Sequence, residues 1–288
     1  MDLLKPSYAT GYAKNASQSA HPNLWDGLVG AWMPSLGVTG GTLRDVSGNG
    51  NHGTLTNMDA ASDWVATSKG LALSFDGSND YVKPYNLPVN FTKDFSFSIN
   101  ISSSSASTVV AMGHYASFLS RWWVGFTSGK LRFLINIGGT NHSFLTPYAV
   151  NDSRWVNAAA SVSQKSNVVS FFVDGVLFGS QSTSGSYSNT NNTFNIGRYD
   201  TAGFYWAGKI SNTSIYNRAL SPTEIKQLHV DSLAPFRRKQ RVSVRVPAGI
   251  QLSHIGQSKL LKSQDYLHEK KHKWSDRCVP SYQQHRWK

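Results

Sequence analysis

The sequence predicts an all-β protein, two antiparallel sheets packed as a sandwich, with one short helix near the C-terminal end and extended termini. Three observations predict it. Turn-forming residues recur roughly every 8–12 positions up to Val230. The stretch FSFSINI alternates strictly, with Phe95, Phe97, Ile99 and Ile101 on one face and Ser96, Ser98 and Asn100 on the other, as a half-buried antiparallel strand does. Only Ser221-Pro222-Thr223-Glu224 carries clear helix-start chemistry: a capping Ser, Pro at the first helical position and Glu three residues after the cap.

Taken in order, residues 1–22 are polar, small and unperiodic, and read as an N-terminal arm. LVGAW (Leu28–Trp32) is the first strand. Arg44 to Leu55, RDVSGNGNHGTL, holds Gly48, Gly50 and Gly53 with Asn49 and Asn51, residues that accept positive φ cheaply, so it is a tight loop between strand ends at Leu43 and Leu55. A similar loop, Asp76 to Asp80, follows the strand LALSF. After FSFSINI, SSSSAS reads as a loop. WWVGFTSGKLRFLINI is a hairpin with Trp122, Val124 and Phe126 pointing one way, a turn at Ser128–Gly129, and Leu131, Phe133 and Ile135 returning. VVSFFVDGVLF is a second hairpin, since Asp174-Gly175 is the type I′ signature. Ser180–Thr193 is a long polar connection, and FNIGR, FYWAGKI and NTSIYN are three further strands. Past the capping box, Ile225 and Leu228 face the sandwich.

Charge divides the chain. Residues 1–232 hold 15 Lys/Arg against 13 Asp/Glu, and residues 233–288 hold 13 against 3. The expected sandwich, residues 23–232, is therefore near neutral, and the extension, residues 233–288, carries nearly all of the net charge of +12. Within that extension VSVRV reads as a strand and Leu260 to His272 as a short amphipathic helix. Cys278 is the single cysteine, which excludes an intrachain disulfide. No apolar run reaches the roughly 18 residues of a membrane span. The N-terminal stretch lacks the apolar core of a signal peptide, so the seven Asn-x-Ser/Thr sequons read as a by-product of Asn and Ser richness.

Most catalytic classes find no support. Glycosidic hydrolysis needs two positioned carboxyl groups, yet the only glutamates are Glu224 in the cap and Glu269 in the extension, and most Asp residues sit beside Gly or Ser in turns. His268-Glu269-Lys270-Lys271-His272 matches the two-histidine zinc motif, but its intervening lysines and its place in a basic extension argue for a chance match rather than a walled metal site. There is no Gly-x-Ser-x-Gly elbow, and GNGNHG lacks the Lys-Ser/Thr of a phosphate loop.

RDVSGNGNHGTL followed by LALSFDGSNDYV resembles the opening of the laminin-G-like, concanavalin-like jelly-roll domains. A Trp-bearing strand at RWVNAAASV, the hairpin VVSFFVDGVLFGS, the strand FNIGR and finally WAGKISNTSIYNRALSPTEIKQL follow in the family's order, so the resemblance runs from Leu28 to Leu228. It implies a jelly roll, and a structural calcium between the first rim loop and a late strand, with Asp45 and Asn49 from the loop and Asn212 where the family usually has Asp. That departure removes one formal charge from the ligand set. Sandwich glucanases carry alternating acidic residues on one strand, and no candidate strand here does. Stand-alone domains that end in segments like APFRRKQR are similar to those encoded by tailed bacteriophages.

Carbohydrate binding needs exposed aromatic platforms and planar polar groups. Trp123, opposite in phase to Trp122, is expected to face outward, and Arg121, Tyr199 and Trp206 are further candidates. In the extension, Phe236, Arg237, Arg238, Tyr266 and Trp274 interleave aromatic rings with cations. An arm that orders against other virion or assembly subunits is the favoured reading, nucleic-acid binding the runner-up, and no membrane role is expected. The function expected is a non-enzymatic structural and recognition module on a virion surface, with glycan binding possible. A soluble glycan-binding lectin is the alternative and a glycosidase the third reading. Without a signal peptide, release by a route other than secretion is expected.

Overall fold

The computed structural model describes residues 21–236, apart from 86–90, 118–119, 186–193 and 200–202. In chain order the strands are β1 (Leu28–Trp32), β2 (Thr42–Leu43), β3 (Gly53–Thr56), β4 (Trp64–Thr67), β5 (Gly70–Asp76), β6 (Tyr81–Pro84), β7 (Phe95–Ser102) and β8 (Val109–Ser117). They continue with β9 (Ser120–Thr127), β10 (Lys130–Ile137), β11 (Thr140–Leu145), β12 (Val156–Ser163), β13 (Val168–Val173), β14 (Val176–Ser182), β15 (Phe194–Ile196) and β16 (Ala207–Tyr216). Among the described residues two α-helices flank them, α1 (Pro22–Trp25) and α2 (Pro222–Val230). No helix of the described residues is long and apolar enough to cross a membrane.

The strands form two antiparallel sheets of eight, the sandwich the sequence predicts. The first runs β14-β13-β12-β7-β16-β5-β4, with β1 also on β16; the second runs β11-β10-β9-β8-β15-β6-β3-β2. The strict alternation of β7 sends Phe95, Phe97, Ile99 and Ile101 into the core, each fully buried. There Phe97 stacks on Trp122 at 5.2 Å, and Phe133 on Phe171 at 5.5 Å. The reading of β7 as half-buried is corrected: Ser96 and Ser98 on its other face are buried too. A second apolar cluster lies over that face, where Leu24, Trp25, Phe172, Tyr216, Ile225 and Leu228 pack together. Helices α1 and α2 thus close the outside of the first sheet, and Ser96 meets them by accepting from the Leu220 N–H and donating to the Arg218 carbonyl.

Local chemistry builds the turns. Ser128 and Gly129 take φ +51° and +73°, and Asp174 and Gly175 take +50° and +74°, the two positive values that a type I′ hairpin turn needs. The capping box forms as read: Ser221 accepts from the Glu224 N–H, while Glu224 accepts from the Ser221 N–H at 2.8 Å.

Three segment readings need correction. The ends of FYWAGKI and NTSIYN join in one ten-residue strand, β16, which begins only at Ala207 and in which a register shift between Ile210 and Thr213 absorbs the extra residue as a bulge. Trp155 precedes β12 instead of lying within it. The body also runs past residue 232: Trp25 Nε1 donates to the Pro235 carbonyl at 2.6 Å, and the Phe236 ring meets Trp25 edge-on at 5.4 Å. Phe236 therefore packs on its own domain in place of the assembly-arm position expected of it. Arg237, Arg238, Tyr266, Trp274 and the HEKKH stretch lie outside the described residues.

Candidate functional site

The first rim loop is organised from within. Asp45 is buried, and its carboxylate accepts from the N–H groups of Ala31, Ser47 and Asn51, each at 2.9 Å, and from the Ser47 hydroxyl at 2.8 Å. Four donors fill the acceptor capacity of one carboxylate. Asn49 turns its amide N–H groups to the Leu28 and Val29 carbonyls, and the Asn51 carbonyl accepts from Trp32 Nε1 at 2.8 Å. Asn212 is engaged elsewhere, accepting from Ser35 Oγ at 2.6 Å and donating to Ser232 Oγ at 2.8 Å. In this geometry Asp45, Asn49 and Asn212 do not fit a cation cage. Among the described residues no group of three or more His, Cys, Asp or Glu is arranged to hold a metal ion.

Of the four expected ligand-binding residues, three share the outer face of the second sheet. Trp122 points into the core and Trp123 away from it, as their phases require, but Trp123 is 8% exposed and is no open platform. Tyr199 covers it at 6.3 Å, and the Arg132 guanidinium lies 5.5 Å from its ring centre. Tyr199 is itself buried, and Arg121 reaches the Asn141 side chain at 3.5 Å. Trp206 is a core residue, fully buried and edge-on to Phe126 at 5.2 Å, so its assignment as a surface candidate is corrected.

The cleft with the right chemistry lies on the outer face of the first sheet. It has a volume of about 460 Å³, and its floor is a row of three amides on adjacent strands: Asn157 on β12, Asn100 on β7 and Asn212 on β16. Asn157 and Asn100 are register partners, and the β16 bulge brings Asn212 alongside. Asn157 Nδ2 donates to Asn100 Oδ1 at 2.9 Å and to Ser98 Oγ at 3.1 Å. Its Oδ1 is buried and has no hydrogen-bond partner.

The walls come from four other places. Trp155 stands at one side, ahead of β12, and Lys69 comes from the β4–β5 turn. Asp174, at the β13–β14 turn, accepts from the Asn157 N–H at 2.8 Å. His229, in the last turn of α2, is packed so closely on Gly175 that a methyl group there would lie 2.9 Å from its Cβ, and its Nδ1 is buried without a partner. Asp231 and Ser232 complete the rim. Charges of both signs line the cleft, so it has no strong field of its own. It offers an aromatic face, planar amides and carboxylates, which suits a hydroxyl-rich ligand.

Sequence reasoning missed this cleft. A signal was present: Asn157 interrupts a run of small apolar residues (Val156, Ala158, Ala159, Ala160), and a buried amide in such a strand wants a partner.

The comparisons agree with the architecture. The family model described as Laminin_G_3, Concanavalin A-like lectin/glucanases superfamily, matches residues 76–226, and the chain belongs to that family. Among solved structures, the chain is similar to the binding domain of Paraclostridial Mosquitocidal Protein 1, at TM-score 0.56 and 14% identity over 72% of this chain and 52% of that one. It is similar to Domain 4 of AbnA, a GH43 extracellular arabinanase from Geobacillus stearothermophilus solved in complex with arabinotriose. There the TM-score is 0.53 and the identity 17%, over 70% of this chain and 98% of that one. The receptor binding domain of botulinum neurotoxin mosaic serotype C/D gives TM-score 0.56 and 13% identity, over 72% and 51% of the two chains. The chain spans about half the length of the mosquitocidal-protein and neurotoxin binding domains. At these identities the likeness is one of fold. No curated protein matches the sequence.

Proposed function

We propose that this protein is a non-enzymatic recognition module that binds an uncharged carbohydrate in the cleft above Asn100, Asn157 and Asn212. We further propose that its basic C-terminal extension seats it on a larger assembly, as a virion surface or decoration subunit. One observation carries the binding role: Asn157 Oδ1 lies buried and unpartnered in the floor of a polar cleft that has a tryptophan in its wall. An unpaired buried acceptor costs about 1–3 kcal/mol, and a sugar hydroxyl supplies the donor it lacks. Trp155 offers a flat apolar face to a sugar ring, and the row of amides runs across three strands about 4.8 Å apart, long enough to meet successive hydroxyls. The occurrence of binding domains among similar folds supports the general reading.

The test is a glycan array probed with the full chain and with Trp155→Ala. A neutral glycan bound by the wild type and lost in the variant, with an unchanged circular dichroism spectrum, is the expected result. No saturable binding to any neutral glycan overturns the carbohydrate role. Purification inside a large particle supports the assembly role, and a free monomer with intact glycan binding makes the protein a soluble lectin.

A further inference from the structure

We propose that the outer face of the second sheet is a separate docking surface for an acidic, carboxylate-bearing polysaccharide, independent of the cleft on the first sheet. The strands of that sheet carry Lys83, Arg121, Lys130 and Arg132 and not one Asp or Glu, and Arg198 lies two residues past the end of β15. Alternation places the cations outward, because Val82, Leu131 and Phe133 beside them are fully buried in the core. The described ion pairs lie elsewhere, at Arg154–Asp152, Arg218–Asp26 and Arg218–Glu224, so Lys83, Lys130, Arg132 and Arg198 have no described carboxylate partner. A sheet face whose described strands carry cations and no acidic residue is complementary to a polyanion.

Two of these guanidinium groups are held in place. Arg132 lies over the Trp123 ring at 5.5 Å, and its Nε donates to Ser143 Oγ at 3.1 Å. Arg198 lies 3.6 Å above the Tyr81 ring, and its Nε is buried without a partner. Each ring holds its guanidinium in place, and the two terminal Nη groups are the fork that meets a planar carboxylate with two parallel hydrogen bonds. The side-chain entropy of ordering is already spent before the ligand arrives. Strands β9 and β8 lie between β10 and β15, so the two sites are three strand spacings apart, roughly 14 Å. One small anion does not span that distance, whereas a chain with repeating carboxylates does.

The rest of that face favours a sugar polymer over a nucleic acid. Gly113 sits there without a side chain, with Trp123 and Tyr199 closed over the space a methyl group would take. Asn136 and Asn195 point to the same outer face, since Ile135, Ile137, Phe194 and Ile196 beside them face the core, and the Oδ1 atoms of both are buried and unpartnered. These acceptors call for hydroxyl donors, which a saccharide supplies along its length and a phosphodiester backbone does not.

The experiment measures equilibrium binding of the full chain to polygalacturonate, neutral dextran, dextran sulfate and duplex DNA at several salt concentrations. The variants are Arg132→Gln with Arg198→Gln, Arg132→Lys and Trp155→Ala. The expected result is polygalacturonate binding that falls about tenfold or more in the double variant, falls less in Arg132→Lys, and is unchanged in Trp155→Ala. Neutral dextran should not bind this face. Equal polygalacturonate affinity in wild type and double variant overturns the proposal and assigns the attraction to the basic extension. Tighter DNA binding lost in the same variant overturns it in favour of a nucleic-acid face. Dextran sulfate that binds as well as polygalacturonate, with the same loss, shows that charge and not carboxylate geometry is read. If the double variant fails to fold, the comparison of wild type with Arg132→Lys, which keeps the charge and loses the fork, decides the matter.

Discussion

Asn157 and Asn100 face one another across two neighbouring strands, the Nδ2 of the first donating to the Oδ1 of the second at 2.9 Å. That bond fixes the Asn157 amide, and among the described residues its own oxygen meets no donor. Asn157→Ala removes the hydrogen bonds of the amide together with its unpaired acceptor. The two effects oppose one another, so the net cost to stability should be modest, about 1–2 kcal/mol by denaturant unfolding. Binding in the cleft should be lost entirely. A variant that unfolds outright would show that Asn157 is a structural keystone and not a recognition group.

Asp45 should matter for the fold with or without metal. Its carboxylate takes four hydrogen bonds that close the Gly48–Asn51 loop against β1. Asp45→Ala leaves three backbone donors without their acceptor and should cost about 2–4 kcal/mol. Thermal melts with chelator and with millimolar calcium should coincide in the wild type, and the loss in the variant should be the same in both. A melting temperature that rises with calcium and no longer does so in Asp45→Ala would restore the cation to this rim.

The domain boundary is testable by truncation. A chain that ends after Phe236 keeps the Trp25–Pro235 hydrogen bond and the Trp25–Phe236 ring contact, while one that ends after Ser232 loses both together with the buried Ala234. The shorter chain should be less stable by about 2–3 kcal/mol, an aromatic pair plus a buried hydrogen bond and its apolar area. Equal melting temperatures would return the boundary to residue 232.

Acid should loosen the α2 cap. Burial pushes the Glu224 carboxyl up, but the hydrogen bonds from Arg218 and Ser221 outweigh it and hold the group below its ordinary value. The Arg218 partner lies 2.7 Å away. A carboxyl whose folded value is depressed gives stability that is complete above the unfolded value, about 4.3, and is lost as pH falls through the folded value. Glu224→Gln should therefore cost about 1–2 kcal/mol at neutral pH. Its melting temperature should fall less than that of the wild type on acidification below about pH 4.3. Parallel pH profiles for the two proteins would remove Glu224 from the acid response.

What the sequence made legible was local or periodic. The inward phase of Phe95 to Ile101, the Asp174-Gly175 turn and the Ser221–Glu224 cap each lie within a few residues and form as read, whereas the cover over Ser96 and Ser98 comes from elements distant in sequence. What it concealed was non-local. Trp123 has the phase of an outward residue, but its cover by Tyr199 comes from a segment 76 positions later in the chain. Trp206 sits beside a polar turn in sequence and in the core in space. The cleft joins three asparagines from strands far apart in sequence, and Asn212 reaches it only through a bulge that no composition signal announces.

The place of β16 has a consequence for how the protein is made. Among the described residues it is the last strand to leave the ribosome, yet β1, β5 and β7 all pair with it, and Asp76 waits for Ala207, 131 positions later. The first sheet therefore cannot zip shut until nearly the whole described body has been synthesised. Through most of that interval β1 and the β4–β5 hairpin present unpaired edges and apolar faces, the form in which nascent β-proteins are most open to aggregation and to chaperone capture. Slowing translation upstream of Ala207 would lengthen that exposure, and slowing it afterwards would not.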